Sequence, residues 1–460
     1  MENNPEKEAV QQGQELKVKE KETTTKRSPV ELTKSLARYG GFAIVENTID
    51  GALNINPEKK ARRRIFLEDE NNKEYRKEIK SRMKMMLQIL SMADNAADLV
   101  GKVEEKIQSK QDCYNENLGR ALHASRTMET SYRSLNLFFK NTESDKVKNI
   151  GIINADPDDV KDTDSPVFQL VSETLDMEYD RLDLRDNYSL LAIPGFLGSK
   201  KVVDAYSRIA NKNKVMLLTD YENYDSPDVL LSNFERANFT GGDAYLSNVM
   251  MTGNWLVGRG AVEEAGEDED LFVPPSAALA GKVYNTLMSQ VSAGRKFGAL
   301  NEVDAVRFKL KKSEIAQLEK AGIVPMVNEY GKVMAFSAKT LFNGDNIGLQ
   351  TYSVVRVFDY VTKVIMDFLN RRAFENFNVN TQMEIRSQII RYLDSITGPG
   401  KLIEKFSIKR FERDPKQKDR VYLDIHMVPY FPAKNFVIKM DGQKGDDPDS
   451  ASWDTEYEAG

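Results

Sequence analysis

SVVRVFDYVTKVIMDFL, residues 353–369, and TQMEIRSQIIRYL, residues 381–393, decide how this chain folds. In the first, Val354, Phe358, Val361, Ile365 and Phe368 recur at helical spacing and lay an apolar stripe along one face. The second ends before Gly398-Pro399-Gly400, a helix stop followed by a turn. Beyond that turn the apolar period shortens from helical to strand-like. Phe406 and Ile408 alternate with polar residues, as do Val421, Leu423, Ile425 and Met427, then Phe436, Ile438 and Met440. Two helices followed by three strands have a face to bury and edges to pair, but no evident pocket for a reaction.

Upstream, residues 146–350 alternate short apolar runs with helical patterns. Strands are expected at 150–154, 188–193 and 215–218, and helices at 166–175, 200–210, 227–237 and from Pro274-Pro275-Ser276 to about Val291. Residues 303–340 read as strand, helix, strand, a turn at Glu329-Tyr330-Gly331 and a further strand. Residues 29–145 are helical. One helix is expected over 73–110, with Ile79, Met83, Met86, Val100 and Ile107 among its apolar positions. A second, carrying Leu118, Leu122, Met128, Tyr132 and Phe139, could pair with the first or with another chain. Residues 1–28 are polar and expected to be disordered alone, and the acidic tail at 446–460 to be mobile. Residues 351–445 form the closing domain. The fold class is mixed α/β and multidomain: a helical N-terminal region, a central α/β domain and a C-terminal helix-plus-strand domain.

Composition narrows the function. At 460 residues the chain has room for roughly three domains of ~150 residues. A net charge of −6 argues against general nucleic-acid binding, and no apolar run reaches the ~20 residues that cross a bilayer. The single cysteine, Cys113, excludes an internal disulfide framework and suits a reducing cytosol, so a cytoplasmic protein is expected.

A search for chemistry returns little. His123 and His426 lack the companions that a triad or metal set requires, and Cys113, placed between helices, has no CxxC partner. Ser395-Ile-Thr-Gly-Pro-Gly400-Lys401-Leu402 fails as a phosphate loop: it has Ser for the first glycine and Leu where a hydroxyl must reach magnesium. Gly195-Phe-Leu-Gly198-Ser-Lys200 reads as a strand-to-helix turn. The acidic clusters at 156–164 and 263–270 lack calcium-loop spacing and read as solvated loops. The run Lys59, Lys60, Arg62, Arg63 and Arg64 is followed at once by acids and reads as a mixed-charge surface. No catalytic, cofactor or metal site is expected.

Five blocks in order resemble the large sheath subunit of bacterial type VI secretion, the TssC family. Leu122-His123-Ala124 through Glu129 and Ser131-Tyr132-Arg133-Ser134-Leu135 are similar to its "LH…LE.sWRGL" block, with Tyr132 for Trp and Ser134 for Gly. Val273-Pro274-Pro275-Ser276-Ala277-Ala278-Leu279-Ala280-Gly281 is similar to a "PPSGAVAG" segment shared with phage tail sheaths. Ala321-Gly322-Ile323 followed by Lys339-Thr340-Leu341, then Val354-Val355-Arg356-Val357-Phe358-Asp359-Tyr360-Val361, then Phe431-Pro432-Ala433, complete the set. Val324 stands where the family has asparagine.

That resemblance implies a structural, cofactor-free subunit. It implies pairing with a small TssB-like sheath subunit and stacking on copies of itself around Hcp-like tube hexamers, from a baseplate. A AAA+ unfoldase then recycles the contracted form. Lys363, Arg371, Arg372, Arg386 and Arg391 are candidate tube-facing cations. Val421, Leu423, Ile425, Met427, Phe436, Ile438 and Met440 are candidate strand-exchange positions. A phage or extracellular injection sheath is the nearest alternative, and an α/β enzyme a remote one.

Overall fold

The computed structural model of the chain describes residues 69–143, 145, 147–185, 187–434, 436–443 and 452–459. The expectations for residues 1–28, for the part of the helical region before residue 69 and for the basic run at 59–64 lie outside the described residues. The chain divides into two units, residues 1–119 and 120–460.

Among the described residues, the first unit is helical. Helix α1 spans Lys73–Ser91, and α2, Ala96–Asn141, begins in this unit. The expected break near residues 111–117 is absent and the actual one lies at Met92–Asn95. The side chains explain both. Asn95 Oδ1 accepts from Asp98 N at 2.8 Å, and Asp98 Oδ2 accepts from Asp94 N at 3.0 Å, a reciprocal cap that starts α2. Farther along, Gln108–Asp112 and Gln111–Asn115 bond across one turn at 2.8 and 3.0 Å and carry the polar stretch through as helix. Cys113 therefore sits exposed inside a helix, not between two. Ile79, Met83, Met86, Val100 and Ile107 are all exposed, and α1 buries no residue.

In the second unit, α3 (Pro166–Tyr179) leads to a five-stranded sheet. Its strands are β1 (Leu190–Phe196), β2 (Met216–Asp220), β3 (Val249–Gly253), β6 (Ile323–Glu329) and β7 (Lys332–Ala335), in that order across the sheet. The first four are parallel, and β7 returns antiparallel through Tyr330-Gly331. Helices α4 (Lys200–Lys212) and α5 (Pro227–Ala237) are the crossovers, each capped by a serine, Ser199 and Ser226. A small hairpin, β4 (Leu256–Arg259) with β5 (Leu271–Val273), precedes α6 (Ser276–Asn285), and α7 (Lys312–Ala321) precedes β6.

Both faces of the sheet are covered, which is why its strands read as continuous apolar runs. Leu217, Val249, Met251 and Ile323 face α3, α4 and α5, joined by Tyr206 and Phe234. Met216, Leu218, Met250 and Val324 face α6 and the end of α2, joined by Leu137, Leu279 and Tyr352. The expected strand at 150–154 joins no sheet among the described residues, and its Ile150, Ile152 and Ile153 are exposed. Of the strand expected to open residues 303–340, a single bridge between Val306 and Leu256 is found.

The closing domain holds α8 (Tyr352–Arg371), α9 (Val379–Ser395), β8 (Ile403–Arg413) and β9 (Val421–Pro429). Val357, Val361, Ile365, Ile385, Ile389 and Leu393 form its core, beneath Phe406, Ile408, Leu423, Ile425 and Met427. Phe358 of the expected stripe lies outside it, because the first turns of α8 are turned into the sheet core through Tyr352 and Val355. Last comes a separate hairpin, β10 (Phe436–Gln443) with β11 (Ser452–Ala459), Phe436 opposite Ala459. Part of the tail expected to be mobile is thus a paired strand.

Candidate functional site

The "PPS" segment is held by a buried acid that the sequence gives no reason to single out. Asp220 ends β2 and is fully buried. Its Oδ2 accepts from Gly195 N at 2.8 Å and Ser276 Oγ at 2.5 Å, and its Oδ1 from Ser276 N at 2.8 Å and from the Thr252 hydroxyl. One carboxyl thereby ties β1, β2, β3 and the first residue of α6. Burial pushes it up to about 6, against the pull of these donors. The carboxyl acts as a strut between these segments. On the other side of α6, a Cβ at Gly281 would sit 2.3 Å from Phe138 O. Only glycine allows α2 and α6 to cross there.

A second strut joins the "LH" block to the acidic loop. Arg259 Nε donates to Glu129 Oε1 at 2.9 Å and its Nη1 to Glu267 Oε2 at 2.5 Å. Arg133 adds bonds to Glu129 at 2.9 Å and to Gly258 O at 3.0 Å, and Arg126 approaches Glu267 at 3.4 Å. The Arg259 guanidinium holds Glu267 down at about 2. The expectation of a solvated loop at 263–270 holds for Glu263, Glu264, Asp268 and Glu269, which are exposed, but not for Glu267, which is 10% exposed, or for Asp270, which accepts from Ala261 N. In the first acidic cluster, Asp156 caps a short helix at Pro157–Lys161.

Along α8 a polar row binds this helix to the α/β layer. Asp359 accepts from Asn248 at 2.7 Å, and Lys363 Nζ donates to Asn187 Oδ1 at 2.6 Å and Tyr188 O at 2.7 Å. Asp367 accepts from Leu184 N at 3.0 Å, and Asn370 donates to Leu182 O at 3.1 Å. Steps of three and four keep these residues on one side of the helix. Lys363 is 8% exposed, and burial lowers it to about 8. It belongs to this seam and not to a surface set of cations, a correction that helical periodicity could not supply.

The other cations differ among themselves. Arg371 pairs with Asp367 at 2.5 Å, and Arg372 with Glu375 at 2.9 Å and Glu384 at 3.0 Å. Arg386 and Arg391 are exposed on α9. The strand set also splits. Leu423, Ile425 and Met427 pack over the core of their own domain, whereas Val421 is exposed, as are Phe436, Ile438 and Met440 on alternate positions of β10.

The turn between α8 and α9 holds a residue the sequence did not flag. Phe374 takes φ +66° and is 107% exposed. A left-handed backbone at a bulky residue costs about 1–2 kcal/mol, and here it carries an aromatic ring into solvent. Among the described residues no group of three His, Cys, Asp or Glu is placed to hold a metal ion, and no helix is long and apolar enough to cross a membrane. His123 and His426 are both exposed, one on α2 and one on β9.

Comparison with known proteins matches the chain in three successive regions. Residues 30–118 match the TssC/VipB-like N-terminal region, 120–343 the type VI secretion system TssC/VipB central domain, and 351–459 the TssC/VipB-like C-terminal domain. No individual curated protein matches the chain. Among solved structures it is similar to the helical sheath of the anti-feeding prophage in its contracted state, at 19% identity and a TM-score of 0.48, covering 69% of this chain and 82% of that one. A chain of the anti-feeding prophage baseplate gives 18% and 0.47, covering 65% and 77%. A sheath tail protein of Desulfitobacterium hafniense gives 12% and 0.39, covering 64% and 60%. Matched in order by all three of its regions, the chain belongs to the TssC/VipB family of type VI secretion and is a contractile sheath subunit.

Proposed function

We propose that this subunit pairs with a small TssB-like sheath subunit in the cytoplasm and stacks with further copies, from a baseplate, around Hcp-like tube hexamers. Its work is mechanical and not catalytic. The lattice is built extended and re-docks as rigid bodies on contraction, after which a AAA+ unfoldase dismantles it. The exposed apolar side chains of α1 and the first half of α2 are the surface offered to the small subunit. Arg386 and Arg391 are the cations offered to the tube, and Phe436, Ile438 and Met440 of β10 are the strand-exchange positions. The family-level organisation is carried as 1–28 arm, 29–145 small-subunit pairing, 146–350 central domain, 351–445 closing domain and 446–460 tail.

One observation supports this reading above the others: β10 and β11 make a two-stranded sheet of their own, with Phe436, Ile438 and Met440 exposed. A lone hairpin of this kind is marginal in water and gains from a further strand. The test is to delete everything after Ala433, coexpress with the small subunit and image by negative stain. Full-length chain should give tubes and the truncation none. Normal tubes from the truncated chain would remove strand exchange. A full-length chain that stays solitary and turns over a metabolite would remove the mechanical reading.

A further inference from the structure

The sheath reading requires copies to meet but does not say where. Two features at opposite ends of α8 have complementary chemistry. At the C-terminal end, the turn after Arg371 carries Phe374, fully exposed on a left-handed backbone, with Val379 and Met383 also exposed nearby. Glu375 and Glu384 share the guanidinium of Arg372, while Arg371 is engaged by Asp367. At the N-terminal end, Thr351, the residue that precedes α8, lines a cavity of about 460 Å³ with Ile347, Phe431, Pro432, Lys339 and Lys434. Ile347 and Phe431 are exposed apolar walls. Two ammonium groups stand there beside one carboxylate, Glu319, which Lys434 meets at 2.5 Å, while Lys339 bonds the Gln350 amide. Burial, and then the charge of Lys434, lower Lys339 below an ordinary lysine, with Glu319 opposing them.

We propose that the α8–α9 turn is a knob that seats in this groove on a second copy of the chain, with Phe374 against Ile347, Phe431 and Pro432 and Glu375 beside Lys339 and Lys434. This rests on the sheath reading. Within one chain the two features cannot meet. Twenty residues of α8 separate them, about 30 Å at the helical rise, and the polar row from Asp359 to Asn370 fastens that helix along its length. A knob and a socket fixed at opposite ends of one rigid element make a heterologous contact, which repeats from copy to copy and propagates a filament. The apolar anchor with its shared carboxylate Glu375 and the cationic groove then satisfy one another across the junction.

The experiment uses the full chain in a Cys113→Ser background, coassembled with the small sheath subunit. Chains carrying Phe374→Cys and chains carrying Ile347→Cys are mixed, pelleted as polymer and treated with a short bis-maleimide. A covalent dimer of two large subunits should form in the mixture and in neither population alone. Phe374→Ser should lower pelletable polymer at fixed concentration by about tenfold while small-subunit copurification is unchanged, and Phe374→Leu should retain most of it. Three results would overturn the knob and leave the sheath reading standing: polymer without the cross-link, a cross-link from position 374 to the small subunit or the tube protein, or Phe374→Ser polymerising like the parent. A parent chain that forms no polymer overturns both.

Discussion

Replacing Asp220 by asparagine keeps the shape of the buried strut and removes its charge, and the outcome should depend on pH. Four donors converge on this carboxyl, two on each oxygen. An amide offers one acceptor oxygen, so it turns an NH2 group toward either Gly195 N–H or Ser276 N–H. Leaving such a buried donor unmet costs about 1–3 kcal/mol. The pH dependence has a separate origin. Burial raises the carboxyl from 3.8 to about 6, and a gap of roughly two units corresponds to about 3 kcal/mol between its two forms. Because the folded value exceeds the unfolded one, the folded chain takes up a proton that the unfolded chain does not. The resulting stabilisation is complete below the unfolded value and lost as pH rises through about 6. Wild type should therefore exceed Asp220→Asn in stability by a margin that widens as pH falls from 7 to about 4.5. Trp255 reports the site directly, since its Nε1 donates to Tyr221 O at 2.8 Å. Denaturant unfolding followed by its fluorescence in a Trp453→Phe background is the assay. A margin that narrows on acidification refutes the reasoning: it would mean that four donors hold the ionised form and that burial loses to them.

Two further outcomes follow from the same unit. Gly281→Val should destabilise by about 1–3 kcal/mol or more, because its Cβ meets a backbone oxygen, Phe138 O, and no flexible side chain can yield; a thermal midpoint within error of wild type would show that α2 and α6 do not cross there. Arg259→Met should cost about 3–5 kcal/mol if Glu129 and Glu267 stay buried and ionised without it, read as a fall in denaturant midpoint at neutral pH. The deficit should shrink as pH drops through the ordinary glutamate value toward about 2, where Glu267 loses its charge in wild type as well. A deficit independent of pH would mean that Arg259 contributes packing alone.

Where the chemistry of a segment is local, the sequence was enough. The helical patterns at 200–210 and 227–237 give α4 and α5, and Pro274-Pro275-Ser276 announces α6. The errors arise where a local signal was weak or misleading. Residues 111–117 look like a linker because they are polar, but polar pairs one turn apart stabilise a helix. Residues 150–154 look like a strand because they are apolar, but no sheet edge receives them among the described residues.

The order of apolar periods, the turn signals and the five family-like blocks by themselves determined the α/β class, the closing helix-and-strand domain and the sheath family. These are properties of neighbours in the chain, and periodicity records them. Only the tertiary structure decided that Lys363 is a seam residue and not a surface cation. It alone placed Asp220 under four donors from residues as far apart in sequence as 195 and 276, and raised Phe374 clear of the surface. Burial and partnership across such distances depend on which faces the fold brings together, and no local pattern of residues encodes that.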